Sequence, residues 1–145
     1  MKRLFIISIA LLATCCILIG CTSARKPDTD GSDETEQDKE PTSYKQITQA
    51  EAKNIMDTQS GYVILDVRTQ AEFDEGHIKG AILIPDYEIA EKAESILTDK
   101  AQLILVYCRS GRRSKLAAQA LADMGYANVM EFGGIIDWQY STVTD

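Results

Sequence analysis

Histidine and cysteine are scarce in this chain of 145 residues. His77 is the single histidine, and after residue 21 Cys108 is the single cysteine. Together they fall short of the Cys/His set of a structural zinc centre, and one thiol cannot close a disulfide within that part of the chain. No metal and no other cofactor is expected. Positive charge is also in deficit: 15 Lys and Arg stand against 22 Asp and Glu, a formal net charge of −7. That balance argues against a nucleic-acid partner. The longest apolar stretch, Leu4 to Ile19, is too short and ends too abruptly for a comfortable membrane span. No internal repeat is present.

The first residues nevertheless carry a pattern. Lys2-Arg3 precede the apolar stretch, which closes on Leu18-Ile19-Gly20-Cys21 before a polar run. This arrangement resembles the lipobox of bacterial lipoprotein signal peptides, in which the chain is cut before the cysteine and its thiol receives a diacylglyceryl group. The resemblance implies a signal peptide over residues 1–20, lipidation at Cys21 and an extracytoplasmic protein anchored by lipid to a bacterial membrane. An uncleaved apolar anchor would give the same placement. Cys15 and Cys16 would leave with the peptide, making Cys108 the only free thiol. A lone surface thiol outside the cell is a liability unless it is used. Thr22 to Ser43 holds three basic and seven acidic residues and almost nothing apolar. Such a stretch buries too little surface to offset its ordering entropy. Residues 21–43 are therefore expected to be a lipidated cysteine and a disordered acidic linker. Residues 44–145, with 10 basic and 15 acidic side chains, are enough for one modest core.

Within that part, apolar runs alternate with helical patterns. Tyr44 to Ile47, Tyr62 to Val67, Ala81 to Ile84, Leu103 to Tyr107 and Val129 to Phe132 read as strands, the third stopped by Pro85. Thr48 with Glu51, and Thr69 with Glu72, have the three-residue spacing of capping boxes. They predict helices running to about Met56 and to near Gly76. Tyr87 to Leu97 and Lys115 to Met124 have helical spacing, and Ala117, Ala118, Ala120 and Ala122 predict a face packed closely on a sheet. Alternation of this kind predicts an α/β fold with a mostly parallel sheet of about five strands covered by helices.

Cys108 is the notable residue of this plan. It follows the strand at Leu103 to Tyr107, and four of the next seven residues are basic: Arg109, Arg112, Arg113 and Lys115. Ligands of open parallel sheets bind beyond the carboxyl ends of the strands. Backbone N–H groups and the dipole at a helix N-terminus favour anions there, a thiolate included. The pattern is that of an anionic nucleophile that handles anionic substrates.

Asp66-Val67-Arg68 with Glu72-Phe73, Gly76-His77-Ile78 with Gly80-Ala81, the loop from Cys108 to Ser114, and Gly133-Gly134 with Trp138 complete a recognisable set. In this order and spacing the region from about Ile47 to Trp138 resembles a single-domain rhodanese, the sulfurtransferase fold. The resemblance implies that Cys108 takes a sulfane sulfur from a small anionic donor, becomes a persulfide and passes the sulfur to a thiol or cyanide-like nucleophile, with a protein acceptor also compatible. Arg109, Ser110, Gly111, Arg112, Arg113 and Ser114 would cradle the persulfide, with Gly111 permitting a backbone turn that a side chain would block. Arg113 is expected to bind donor oxyanions or brace the loop, Arg109 and Arg112 to set the field at the rim, and Ser114 to donate a hydrogen bond near the helix start.

Asp66 is expected in a structural ion pair or loop brace and Arg68 in an i, i+4 pair with Glu72. His77 and Tyr107 read as structural, Trp138 as a core or lid residue. Protein tyrosine phosphatases place five residues between Cys and Arg. Here four separate Cys108 from Arg113 and Ser114 comes next, a smaller cradle that suits a sulfur atom better than a phosphoryl group. Two roles without turnover compete with sulfur transfer. One is a docking module of the same fold. The other is a thiol redox sensor, which would lack a resolving cysteine.

Overall fold

The computed structural model describes residues 43–144. The expected signal peptide, Cys21 and the acidic linker up to residue 42 lie outside the described residues. Among the described residues no helix is long and apolar enough to cross a membrane.

Five strands, β1 Lys45–Gln46, β2 Tyr62–Asp66, β3 Ala81–Leu83, β4 Leu103–Cys108 and β5 Asn128–Gly134, form one sheet in the order β1-β5-β4-β2-β3. Every pairing is parallel. Four α-helices intervene, α1 Gln49–Thr58, α2 Gln70–Asp74, α3 Ile89–Ile96 and α4 Arg112–Asp123. The α/β fold with its parallel sheet is as expected, and strands and helices shift at their ends by a few residues. Tyr87 to Leu97 is not one helix: Asp86–Glu88 form a 3-10 turn before α3. Both capping boxes form, with Thr48 and Thr69 each accepting the N–H of the glutamate three residues on, Glu51 and Glu72.

The period-two alternation of β4 divides the core. Ile104, Val106 and Cys108 join Leu65, Val67, Leu121 and Val129 under α3 and α4. Leu105 and Tyr107 face the other way, with Ile64, Phe132 and Ala52 of α1. On α4 the buried residues Ser114, Ala117, Ala118, Leu121 and Ala122 fall at i, i+3, i+4, i+7 and i+8, one helical stripe. The small alanines let that helix lie close to β4 and β5.

The strand order creates the place for a site. From β2 the chain proceeds to one edge of the sheet at β3, whereas from β4 it proceeds toward the other edge at β5. The connections that leave the carboxyl ends of β2 and β4 therefore diverge, and the crevice between them is where ligands bind in such sheets. Asp66 ends β2 and Cys108 ends β4, and Asp66 stands in register with Tyr107.

Candidate active site

Cys108 is 1% exposed. The surface thiol expected from sequence is in fact the floor of a loop, because the same alternation that buries Val106 turns Cys108 toward α4. The first turn of α4 starts at Arg112, three residues earlier than the helical spacing predicts, so Arg112, Arg113 and Ser114 are helical. The loop is reduced to Arg109, Ser110 and Gly111. Gly111 has φ +92°, a left-handed conformation that side chains resist. This turn aims its N–H at the sulfur, and Gly111 N donates to Cys108 Sγ at 3.1 Å.

The rim and the wall of the loop differ. Arg109, Ser110, Arg112 and Lys115 are exposed around the mouth. Gly134 forms the inner wall: a Cβ there would collide with the backbone of Arg109 and Ser110. The contact is locked by Ile136 N–H donating to the Arg109 carbonyl at 3.2 Å and by the Gln49 side chain donating to the Gly134 carbonyl at 2.7 Å. The Gly133-Gly134 pair thus serves close backbone packing against the loop that follows Cys108.

Arg113 does not point free into the mouth. Its two terminal nitrogens donate to Glu72 of α2 at 2.8 and 2.7 Å, so it braces the loop start against a neighbouring helix. The Arg113 guanidinium, followed by hydrogen bonds from Thr69, holds the Glu72 carboxyl down at about 2. The expected Arg68–Glu72 pair is therefore corrected. Arg68 instead donates to Asp66, from Nε at 3.0 and 2.9 Å and from Nη2 at 2.7 Å, and to the Gly76 carbonyl at 2.8 Å. The reason is geometric. Arg68 leaves the end of β2 beside a buried carboxylate that needs a partner, whereas Glu72, on the first turn of α2, faces the α4 start. Asp66 is fully buried, the setting of a structural pair. Tyr107 lies under it, its hydroxyl accepting the Ile78 N–H at 3.2 Å. Burial first, then the Asp66 carboxylate, raises its phenol above the ordinary value.

His77 stacks on Phe73 at 3.7 Å between ring centroids, and its backbone pairs with Val143 in an antiparallel bridge. Trp138 packs on Phe132 and Tyr140, just past the glycine pair. Among the described residues no cluster of three or more His, Cys, Asp or Glu could hold a metal ion.

Ser114 donates a hydrogen bond near the helix start, as expected, and its partner is a buried carboxylate. The sulfur stands 3.4 Å from Ser114 Oγ, and the hydroxyl donates to Glu131 Oε1 at 2.7 Å. Sequence reading missed Glu131, which is 2% exposed. Its signal was there: a lone acidic residue in the apolar run Val129 to Phe132, on the face that alternation assigns to α4.

A thiol at the carboxyl end of a central strand, a positive-φ glycine aiming an N–H at it, and an Arg–Glu brace define a sharply shaped loop. Residues 48–141 match the family described as rhodanese-like domain. The chain belongs to the rhodanese-like family. Among rhodanese relatives, the thiosulfate sulfurtransferase PspE of Escherichia coli is 38% identical over 73 residues, spanning 50% of this chain and 70% of that protein. The thiosulfate sulfurtransferase GlpE of Coxiella burnetii is 35% identical over 97 residues, 66% of this chain and 88% of that one. A solved rhodanese with anions from E. coli covers 58% of this chain and 99% of its own, with 34% identity and a TM-score of 0.55.

Proposed function

We propose that this rhodanese-like chain is a sulfurtransferase that works through a persulfide on Cys108. The observation that carries the reading is the Gly111 N–H directed at Cys108 Sγ from 3.1 Å, at the N-terminus of the 12-residue helix α4. Negative charge on sulfur is favoured by such a donor and by the helix dipole. The Cys108 thiolate attacks the outer sulfur of a donor such as thiosulfate. A sulfur–sulfur bond to Cys108 forms, that of the donor breaks, and sulfite leaves with the electron pair. A thiol or cyanide-like nucleophile then takes the outer sulfur and returns the Cys108 thiolate. Arg109, Arg112 and Lys115 around the mouth attract anionic donors to an otherwise acidic protein. Arg113 serves as brace, through Glu72.

In the same proposal the protein lies outside the cytoplasmic membrane of a bacterium, tethered by lipid on Cys21 through an acidic linker. Its support is the basic, apolar and Gly20-Cys21 sequence of the first residues. Metabolic labelling of the full chain with a radioactive fatty acid tests this: Cys21→Ala should abolish labelling, and labelling that persists in that variant refutes the anchor. For the activity, thiocyanate formation from thiosulfate and cyanide is the test. It should be present in the full chain and absent in Cys108→Ser, and turnover surviving in that variant would remove the mechanism.

A further inference from the structure

Glu131 is a buried carboxylate linked to Cys108 through the Ser114 hydroxyl, and sulfur transfer as described does not use it. It lies on β5 in register with Gln46 of β1 and Val106 of β4. Three donors converge on its two oxygens. Ser114 Oγ and Gly133 N reach Oε1 at 2.7 and 2.8 Å, and Gln46 Nε2 reaches Oε2 at 3.2 Å. Glu131 also borders a cleft of about 560 Å³ beside the loop, lined in part by Gln46, Gly111 and Lys115.

The decisive point is the count of protons on Ser114. A hydroxyl has one to give. Near Ser114 Oγ stand the Gly111 carbonyl at 3.1 Å, the Gly133 carbonyl at 3.4 Å and the Glu131 carboxylate at 2.7 Å. The charged and nearest acceptor takes the proton, since such bonds are the shorter and stronger ones. Ser114 therefore turns a lone pair, not a proton, toward the sulfur 3.4 Å away. On its opposite side the sulfur receives the Gly111 N–H.

We propose that Glu131 is a positioning residue for Cys108: by taking the Ser114 proton it sets an acceptor behind the sulfur, which favours S–H over S⁻ at rest and drives negative charge toward the loop mouth. The consequence for transfer rests on the sulfurtransferase reading. When the donor's sulfur is taken up, the thiol proton goes to solvent, the inner sulfur becomes neutral, and the outer sulfur carries the charge toward Gly111 and the arginines. An acceptor and a negative charge behind the inner sulfur oppose the free thiolate more than the persulfide, whose charge lies one sulfur farther away. The other charged groups around the loop are Glu72 from α2 and Asp86 from the turn after β3, both acting on Arg113, Arg109 of the loop, Arg112, Arg113 and Lys115 of the first turn of α4, and Glu51 and Asp137, which line the same cleft as Glu131. None of them touches Ser114 Oγ.

The test reads the unloaded thiol. The full chain is alkylated with iodoacetamide, which is uncharged, across a pH series, and the peptide carrying Cys108 is followed by mass spectrometry. In Glu131→Gln the alkylation profile should move to lower pH by roughly half a unit or more, about threefold in rate at neutral pH. Glu131→Ala, which removes the charge and leaves the Ser114 proton to the Gly111 and Gly133 carbonyls, should move it in the same direction. Glu131→Asp should restore most of the original profile. In a Ser114→Ala background, Glu131→Gln should move the profile less, because the path through the hydroxyl is gone. A profile that stays put or moves to higher pH in folded Glu131→Gln or Glu131→Ala overturns the proposal, and so does a lower melting temperature with an unmoved profile. No sulfur donor is present in this experiment, so failure to take sulfur from thiosulfate sinks the sulfurtransferase reading without touching this result.

Discussion

Two carboxylate–arginine forks sit at the same end of the sheet and do different work. Asp66 and Arg68 are two residues apart in sequence, with side chains 0% and 6% exposed. Glu72 and Arg113 are 41 residues apart, with side chains 20% and 19% exposed. The first fork is local and sealed under the connection that follows β2. It closes the carboxyl end of that strand and ties Arg68 to the Gly76 carbonyl. The second joins two helices across the crevice and fixes where α4, and with it Gly111, begins. Burial separates the roles. A sealed ion pair is architecture whose breaking strands a charge, whereas a half-open one positions a neighbouring group at smaller cost to the fold.

The comparison can be broken at its strong end first. Asp66→Ala leaves the Arg68 guanidinium buried without its partner and should cost about 3–5 kcal/mol of stability, measured by denaturant unfolding. Replacing both residues with apolar side chains of similar volume should recover much of that loss. If the single change costs no more than a surface substitution, the sealed fork is not architectural.

Glu72→Gln should cost less, about 1–3 kcal/mol, with reduced sulfur transfer because Arg113 loses its anchor. The pair also has a pH signature. The Glu72 carboxyl titrates at about 2 when folded, against an ordinary 4.5. Its stabilisation is complete above about pH 4.5 and fades as pH falls from there toward 2. Stability curves of wild type and Glu72→Gln should therefore converge across that acid window. Parallel curves would show that the fork carries no such linkage.

The rim arginines should give the smallest effect on stability and a selective one on function. Arg109→Gln and Arg112→Gln should stay within about 0.5 kcal/mol of wild type. Each should raise KM for thiosulfate and flatten the dependence of kcat/KM on ionic strength. Equal loss for an uncharged sulfur donor would contradict a steering role.

Local signals carried most of the fold. Thr48 with Glu51 and Thr69 with Glu72 mark real helix starts because a capping box is closed within four residues. The apolar run before Cys108 is a central strand because both of its faces are covered. What escaped local reading was long-range pairing. Arg68 and Glu72 have the spacing of a helical ion pair, yet each found a better partner: Asp66 at the end of β2, and Arg113 across 41 residues. Ser114 has many available acceptors in any sequence reading. Only the approach of β5 to α4 selects Glu131, and no spacing rule along the chain encodes that approach. The place of Cys108 at the end of a central strand was legible but its burial was not, since its depth depends on the early start of α4 and on Gly134 closing the wall.

The most direct measurement is the mass of the Cys108 peptide after the full chain has been incubated with thiosulfate and no acceptor. A persulfide mechanism predicts a gain of one sulfur atom on that peptide, discharged by cyanide as thiocyanate, with no gain at position 108 in Cys108→Ser. An unchanged Cys108 peptide, from folded protein whose thiol still reacts with iodoacetamide, would contradict it.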